Sequence, residues 1–366
     1  MNKRLESLDA FRGLTVAAMI LVNNPGSWNY VYPPLLHAEW HGCTPTDLIF
    51  PFFLFIVGVS IHFAYQDKLS KGLSKEIFWK ISKRALIIFL LGLFLTLFPK
   101  FDFSVVRIPG VLQRISVVFF CSSIIYFKLN WLNQIKLTAF LLIGYYAIMT
   151  LIPVSELGEA NLDKATNLAA WLDNFLLGGH LWSQSKTWDP EGILSTIPAI
   201  GTCLIGMLMG KLLSSPIEEK EKTIWLFICG VVLTVLGLGW GLIFPLNKAL
   251  WTSSYVLYTA GLACNGLAVM YFVIDVKGYS SWALPLRYYG VNAIFVFVAS
   301  GLVAKILIRT KLDEEGKISL WSWIYNNVYA SWLPTYFASF LFAVTLIVLF
   351  GFILKWMYNK KIFIKV

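Results

Sequence analysis

An all-α, polytopic membrane bundle is the fold class this sequence predicts, and three observations carry it. Hydrophobic residues make up 58% of the chain and charged residues 14%, with a mean hydropathy of +0.69, a balance that a water-exposed surface does not tolerate. Apolar windows of about 20 residues, the length that crosses a hydrocarbon core, recur along the chain. Lys and Arg collect on alternate connecting segments, as they do when short cytoplasmic loops accumulate basic residues.

The windows lie near residues 9–24, 45–66, 78–98, 108–126 and 135–154, then, after a long loop, near 192–213, 224–243, 251–274, 285–306 and 335–357. They predict about ten spans; Arg114 inside the fourth and the aromatic run 318–334 leave room for one more or one fewer. The first opens with Asp9 and Arg12, closes with Asn23 and Asn24, and is broken by Pro25-Gly26. Lys3 and Arg4 precede it, but the early charges and the lack of a small-residue cleavage pattern argue that it is retained rather than removed as a signal. The second window opens with Thr44-Pro45-Thr46-Asp47, which reads as an N-cap, a first-turn proline and the acidic partner of a capping box, with Asp in place of Glu. The loop 153–190 is acidic (Glu156, Glu159, Asp163, Asp173, Asp189), with an amphipathic stretch around Leu168 to Leu181 expected on the outer surface. Trp321, Trp323, Tyr325, Tyr329 and Trp332 read as an interfacial aromatic belt rather than a sugar-stacking platform. With no linker, low-complexity run or repeat, residues 1–366 are expected to form a single domain.

An even number of spans puts both termini on one side, and 19 of the 30 Lys and Arg residues then fall on that side, which makes it cytoplasmic. Lys3, Arg4 and Lys365 belong to that group. Nine fall outside, and Arg12 and Arg114 lie within spans. The net charge of +10 is thereby assigned to topology and anionic lipid, and no nucleic-acid partner is required. Cys121, Cys203, Cys229 and Cys264 fall inside spans; Cys43 faces the outer loop. Neither a disulfide framework nor a cysteine metal site is expected, and no metal.

Polar residues in spans are costly and mark candidate sites. His37, Trp40, His41 and Asp47 share one short outer loop. An imidazole there could act as a base or attack an acyl carbonyl, with the carboxylate fixing its tautomer; Asp47 could equally be a helix cap. Asp9 and Arg12, spaced i, i+3, form either a neutralising pair or an anion site. Asp189 and Glu191 before the sixth span, with His180 upstream, read either as site residues or as charges complementing a helix dipole. Lys248 precedes the eighth span; Gln113, Arg114, Asn265 and Asn292 lie deeper. Arg114 needs a carboxylate or a ligand phosphate as partner.

Ser7-Leu8-Asp9-Ala10-Phe11-Arg12-Gly13, Asn23, and the run from His37 through Trp40, Gly42, Thr44, Asp47, Phe50, Pro51 and Phe53 to Gly58 resemble the heparan-α-glucosaminide N-acetyltransferase family and its bacterial relatives. The blocks Arg107 to Ile115, Asp189 to Thr196 and Pro245 to Tyr255 are similar to the same family. The opening also resembles the wider membrane acyltransferases that modify bacterial cell-surface sugars. The resemblance implies acetyl-CoA as donor from the cytoplasm, an amino sugar as acceptor outside, a homodimer, and a bacterial cytoplasmic membrane. His37 would be the active histidine, assisted by Asn23 and Asp47. Arg12, Arg114, Lys248 and Asn292 fall to the donor, and Trp40, His180, Asp189 and Glu191 to the acceptor. This chain starts close to its first span, without the large N-terminal domain of the lysosomal enzyme, so its acceptor need not derive from heparan. His37 acts either as general base or as acetyl carrier. A sugar permease would also have some ten spans and intramembrane polar residues, and is the alternative.

Overall fold

The protein is described by a computed structural model covering residues 5–154 and 158–364. Lys3, Arg4, Glu156 and Lys365, used above for orientation and loop charge, lie outside the described residues. The described residues are helical, without a β-sheet, and the chain divides into two compact units.

The smaller unit holds residues up to Ala38, Thr44–Ile49 and the chain from Met270 onward. It contains α1 (Glu6–Asn23), α10 (Leu284–Val291), α11 (Ala293–Arg309), α12 (Leu320–Ile324) and α13 (Thr335–Asn359). Helix α1 lies against α10 so closely that a Cβ on Gly13 would stand 1.7 Å from the Leu286 carbonyl oxygen, and one on Gly290 1.9 Å from that of Asp9. Glycine is therefore obligatory at the crossing. Helices α10 and α11 form one apolar segment bent by 71° at Asn292. Of the aromatic run, Trp321 and Tyr325 turn inward with Ala338 and Phe342, and the Trp321 indole donates to the Gly26 carbonyl at 3.0 Å. Trp323 and Trp332 remain exposed, so the expected belt is in part a packed core.

The larger unit holds residues 39–43 and 50–269. It contains nearly all of α2 (Ile49–Tyr65), then α3 (Lys75–Leu97), α4 (Val111–Lys128), α5 (Trp131–Leu151), α6 (Leu168–Leu177), α7 (Thr196–Ser214), α8 (Glu219–Gly241) and α9 (Ser253–Met270). Helix α3 packs on α4, and α4 and α5 pack on α7. The short α6 is amphipathic in the opposite sense to a water-surface helix: Asp173 is buried, while Trp171 and Phe175 are exposed and stacked 5.5 Å apart. That polarity suits a helix whose outer face meets acyl chains.

Every expected window coincides with a helix or bent helix pair. By length and composition, seven described helices can cross a membrane, or eight if the α10–α11 pair is one span. Helices α1 and α3 fall outside that number: α1 has 18 residues and carries Glu6, Asp9 and Arg12, and the first half of α3 carries Lys75, Glu76, Lys80, Lys83 and Arg84. The chain is an integral membrane protein.

Candidate active site

The loop after α1 brings one imidazole and one carboxylate together in the smaller unit. Thr44 adopts an extended conformation, Pro45 supplies the preset φ of a first turn, and Pro45–Leu48 forms a short 3-10 turn leading into α2. Asp47 accepts from the Thr44 backbone N–H, the Thr44 hydroxyl and the Ala38 N–H, each at 3.0 Å, all on Oδ2. Its other oxygen, Oδ1, stands 2.6 Å from His37 Nδ1. Cap and tautomer-setter, alternatives in the sequence, are two edges of one carboxylate. Asp47 is 1% exposed and His37 51%. With three donors on Oδ2, Oδ1 is placed to accept from Nδ1–H, the tautomer that puts the lone pair at Nε2, where a base or nucleophile needs it.

The other candidates of this unit make contacts of their own. Asn23 ends α1 with an exposed side chain that makes no hydrogen bond to His37. Arg12 pairs with Asp9 at 3.0 Å and donates to the Gly290 carbonyl at 3.2 Å. Two residues on, the fully buried Asn292 grips the segment after α13: its Nδ2 donates to Ile362 O at 3.2 Å and its Oδ1 accepts from Ile364 N–H at 2.8 Å. Arg12 and Asn292 thus flank the same end of α10.

In the larger unit, Trp40 donates through its indole to Leu162 O at 2.8 Å and meets Trp188 edge-on at 5.3 Å. Trp182 packs on Trp188 in the same way. His41 lies 3.4 Å from the Asn247 amide, with burial lowering its pKa against the opposing pull of Asp163. His180 bonds through Nδ1 to Val106 O at 2.9 Å, tying two loops together. Lys248 sits in the turn closed by the bond from Trp251 N–H to its carbonyl.

Arg107, which the sequence reading left out of the site, engages Asp189 through Nε at 2.8 Å and Nη2 at 2.6 Å, and also bonds Glu191. Burial disfavours the guanidinium charge, but the bond to Asp189 and the charge of Glu191 outweigh it and raise its pKa. Asp189 and Glu191 are thus held well before α7 rather than serving its dipole. The signal available was an outer-loop arginine opposite an otherwise unneutralised acidic pair. Arg107→Ala strands both acids, and breaking such a buried pair costs about 3–5 kcal/mol. A clear fall in melting temperature is expected, recovered in part by Arg107→Lys, which keeps the charge but loses the two-pronged geometry.

Among the described residues no carboxylate bonds Arg114 directly. Its Nη2 bonds Gly192 O at 3.1 Å and the Ser195 hydroxyl, and its plane lies 5.1 Å from the Trp251 ring, while Nε and Nη1 make no hydrogen bond among the described residues. Asp173 approaches the same turn from α6 and accepts from Ile193 N–H at 2.8 Å. Burial, then Asp189, raise the Asp173 pKa from 3.8 to about 6 against the Ile193 bond and Arg114. A raised folded-state pKa means stability that is whole below 3.8 and lost as pH passes about 6. Asp173→Asn is expected to flatten this part of the melting-temperature profile, with its relative benefit at and above neutral pH; a benefit confined to acid would reverse the sign.

A polytopic helical membrane protein with a carboxylate-held imidazole at the mouth of one span is the class this fold and site define. The family model described as heparan-alpha-glucosaminide N-acetyltransferase, catalytic, matches residues 4–244, and the chain belongs to that family. It is 29% identical over 370 residues to heparan-alpha-glucosaminide N-acetyltransferase of Mus musculus, covering 85% of this chain and 56% of that protein. With the Homo sapiens protein of the same name it is 31% identical over 354 residues, covering 81% and 52%. The chain spans about half the length of the curated relatives it matches.

Proposed function

We propose that this chain is a transmembrane N-acetyltransferase that moves an acetyl group from acetyl-CoA to an amino sugar of glucosamine type. The His37–Asp47 contact is the observation that carries the reading, because it presents an imidazole lone pair at Nε2 from a ring that substrate can reach. As general base, Nε2 removes the proton from the acceptor amine as the nitrogen attacks the thioester carbonyl. As carrier, Nε2 attacks first, the thiolate departs, and the amine then takes the acetyl group from the ring. Asp47 stabilises the positive ring formed along either route, and the Asn23 amide is our candidate for the oxyanion.

Arg12 and Asn292, at one end of α10, with Arg114 and Lys248 in the larger unit, are the residues we assign to the donor. Trp40, His180, Asp189 and Glu191 are those we assign to the acceptor side, the two acids acting through Arg107. We further infer a single acyltransferase domain and cytoplasmic termini, supported by the uninterrupted sequence and its charge bias, and a homodimer in a bacterial cytoplasmic membrane, supported by the family resemblance alone. One observation favours the permease reading, namely the broken α10–α11 segment with a buried amide at its break.

Proteoliposomes separate the two. With acetyl-CoA on one side and glucosamine on the other, CoA release that requires the sugar is expected. Sugar uptake without acetyl-CoA, or CoA release indifferent to sugar, would overturn the acetyltransferase.

A further inference from the structure

His62 is the histidine most enclosed by protein. It lies near the end of α2, 6% exposed, where Gly210 of α7 leaves room: a Cβ there would be 2.8 Å from the His62 Cβ. An ionisable group inside a membrane bundle is a functional candidate by default, because its solvation there is costly. Both ring nitrogens are engaged by hydroxyls. Nε2 is 2.7 Å from the Ser214 Oγ, and Nδ1 is 3.1 Å from the Tyr126 hydroxyl.

We propose that Tyr126, His62 and Ser214 form a proton relay between the interior of the larger unit and the surface at the end of α7. One arrangement of protons satisfies all the contacts at once. The exposed Ser214 hydroxyl donates to Lys211 O at 3.0 Å, so its oxygen accepts from Nε2–H. Nδ1 of the neutral ring is then bare and accepts from Tyr126. A proton arriving on the Tyr126 oxygen releases that residue's own proton to Nδ1, the Nε2 proton passes to the Ser214 oxygen, and the serine proton leaves to water. One O–H or N–H bond forms and one breaks at each station, and no charge is left behind. The same transfers, run inward from water through Ser214, Nε2, Nδ1 and Tyr126, return one proton to the interior and restore the first tautomer.

Hydroxyls continue inward from Tyr126. Ser122 and Ser123 precede Tyr126 by four and three residues on α4, so they share its side of the helix. Both are fully buried; the Ser123 hydroxyl makes no hydrogen bond among the described residues, and that of Ser122 has the Cys203 thiol beside it. Buried hydroxyls without protein partners call for water. The charged and titratable groups facing His62 are Lys211 from α7 and Tyr126 from α4, with Gln66 reaching it from its own segment.

The purpose of the relay rests on the proposed acetyl transfer, although its existence does not. Forming the C–N bond and breaking the C–S bond takes a proton from the amine and gives one to the thiolate. Where the two events lie at different depths, that proton needs a route through protein.

Solid-state NMR of the full chain, labelled with 15N-histidine in bilayers, tests the relay without turnover. The resonance missing from His62→Gln is expected to exchange between ring tautomers as the bulk pH is varied, and Ser214→Ala is expected to slow this exchange. A single fixed tautomer, or exchange indifferent to Ser214→Ala, overturns it. The kinetic arm tests its coupling. In His62→Gln, whose amide can still hydrogen-bond but cannot shuttle a proton, kcat is expected to fall about tenfold or more at unchanged KM, with recovery on adding imidazole. A fall that imidazole does not restore marks a packing role. Exchange at His62 in a chain that transfers no acetyl group would defeat the functional reading and leave the relay standing.

Discussion

Acetyl transfer by His37→Ala is expected to drop by about 10²–10⁴-fold, the range that a positioned acid–base group contributes. The fold should survive, because a ring 51% exposed leaves no cavity and Asp47 keeps its three bonds on Oδ2. CoA release, with the melting temperature as control, reads both. The informative companion is Asp47→Asn. Its amide oxygen must stay on the Thr44 and Ala38 donors, which turns the NH2 toward His37. That group then donates to Nδ1, the ring proton moves to Nε2, and the lone pair faces the wrong way. A loss comparable to His37→Ala, with His37 still present, is therefore expected. His41→Ala is expected to change turnover little, since the neighbour on its Nδ1 is the Asn247 amide and not a carboxylate. Full transfer by either His37→Ala or Asp47→Asn would remove the site.

How much of this was legible follows from what each residue's role depends on. The spans were legible because apolar length and helical spacing are local properties, and Thr44 to Asp47 announced a helix start through short-range chemistry. That Asp47 also reaches His37 could be raised from proximity in one loop, but which carboxylate oxygen does which task is a matter of three dimensions. Arg107 and Asp189 are 82 residues apart, and nothing local to either names the other. Asp173 was visible as loop charge and was read as part of a surface stretch; α6 turns it inward because its outer face is the greasier one. Asn292 was read as a deep polar group, and its partners are backbone atoms near the end of the chain, which composition cannot reveal. His62 escaped notice because it lies inside an apolar window that predicts a span whether or not one residue titrates.

A large stability effect is expected where α2 and α7 cross. A Cβ on Gly206 would stand 2.1 Å from the Phe55 carbonyl oxygen, and one on Gly58 2.0 Å from that of Cys203. Backbone faces backbone there, so no side chain can swing aside, and relief requires the helices to part. Between membrane helices, close packing of small residues replaces the hydrophobic drive that holds soluble cores together, so separation forfeits the contact itself. Gly206→Ala is expected to cost at least the upper end of the roughly 1–3 kcal/mol of overpacking, seen as a large fall in the melting temperature in detergent. Gly144→Ala is the control. A Cβ at Gly144, within α5, meets nothing within 4 Å, and alanine there gains up to about 1 kcal/mol of helix propensity. The two substitutions add the same methyl group to glycines in membrane-spanning helices, so hydrophobicity predicts equal effects and backbone approach predicts opposite ones. One turn beyond Gly206, the space at Gly210 admits His62, so a parted crossing should also stretch the 2.7 Å contact between His62 and Ser214. Equal melting shifts for the two variants would show that the crossing is looser than these distances state.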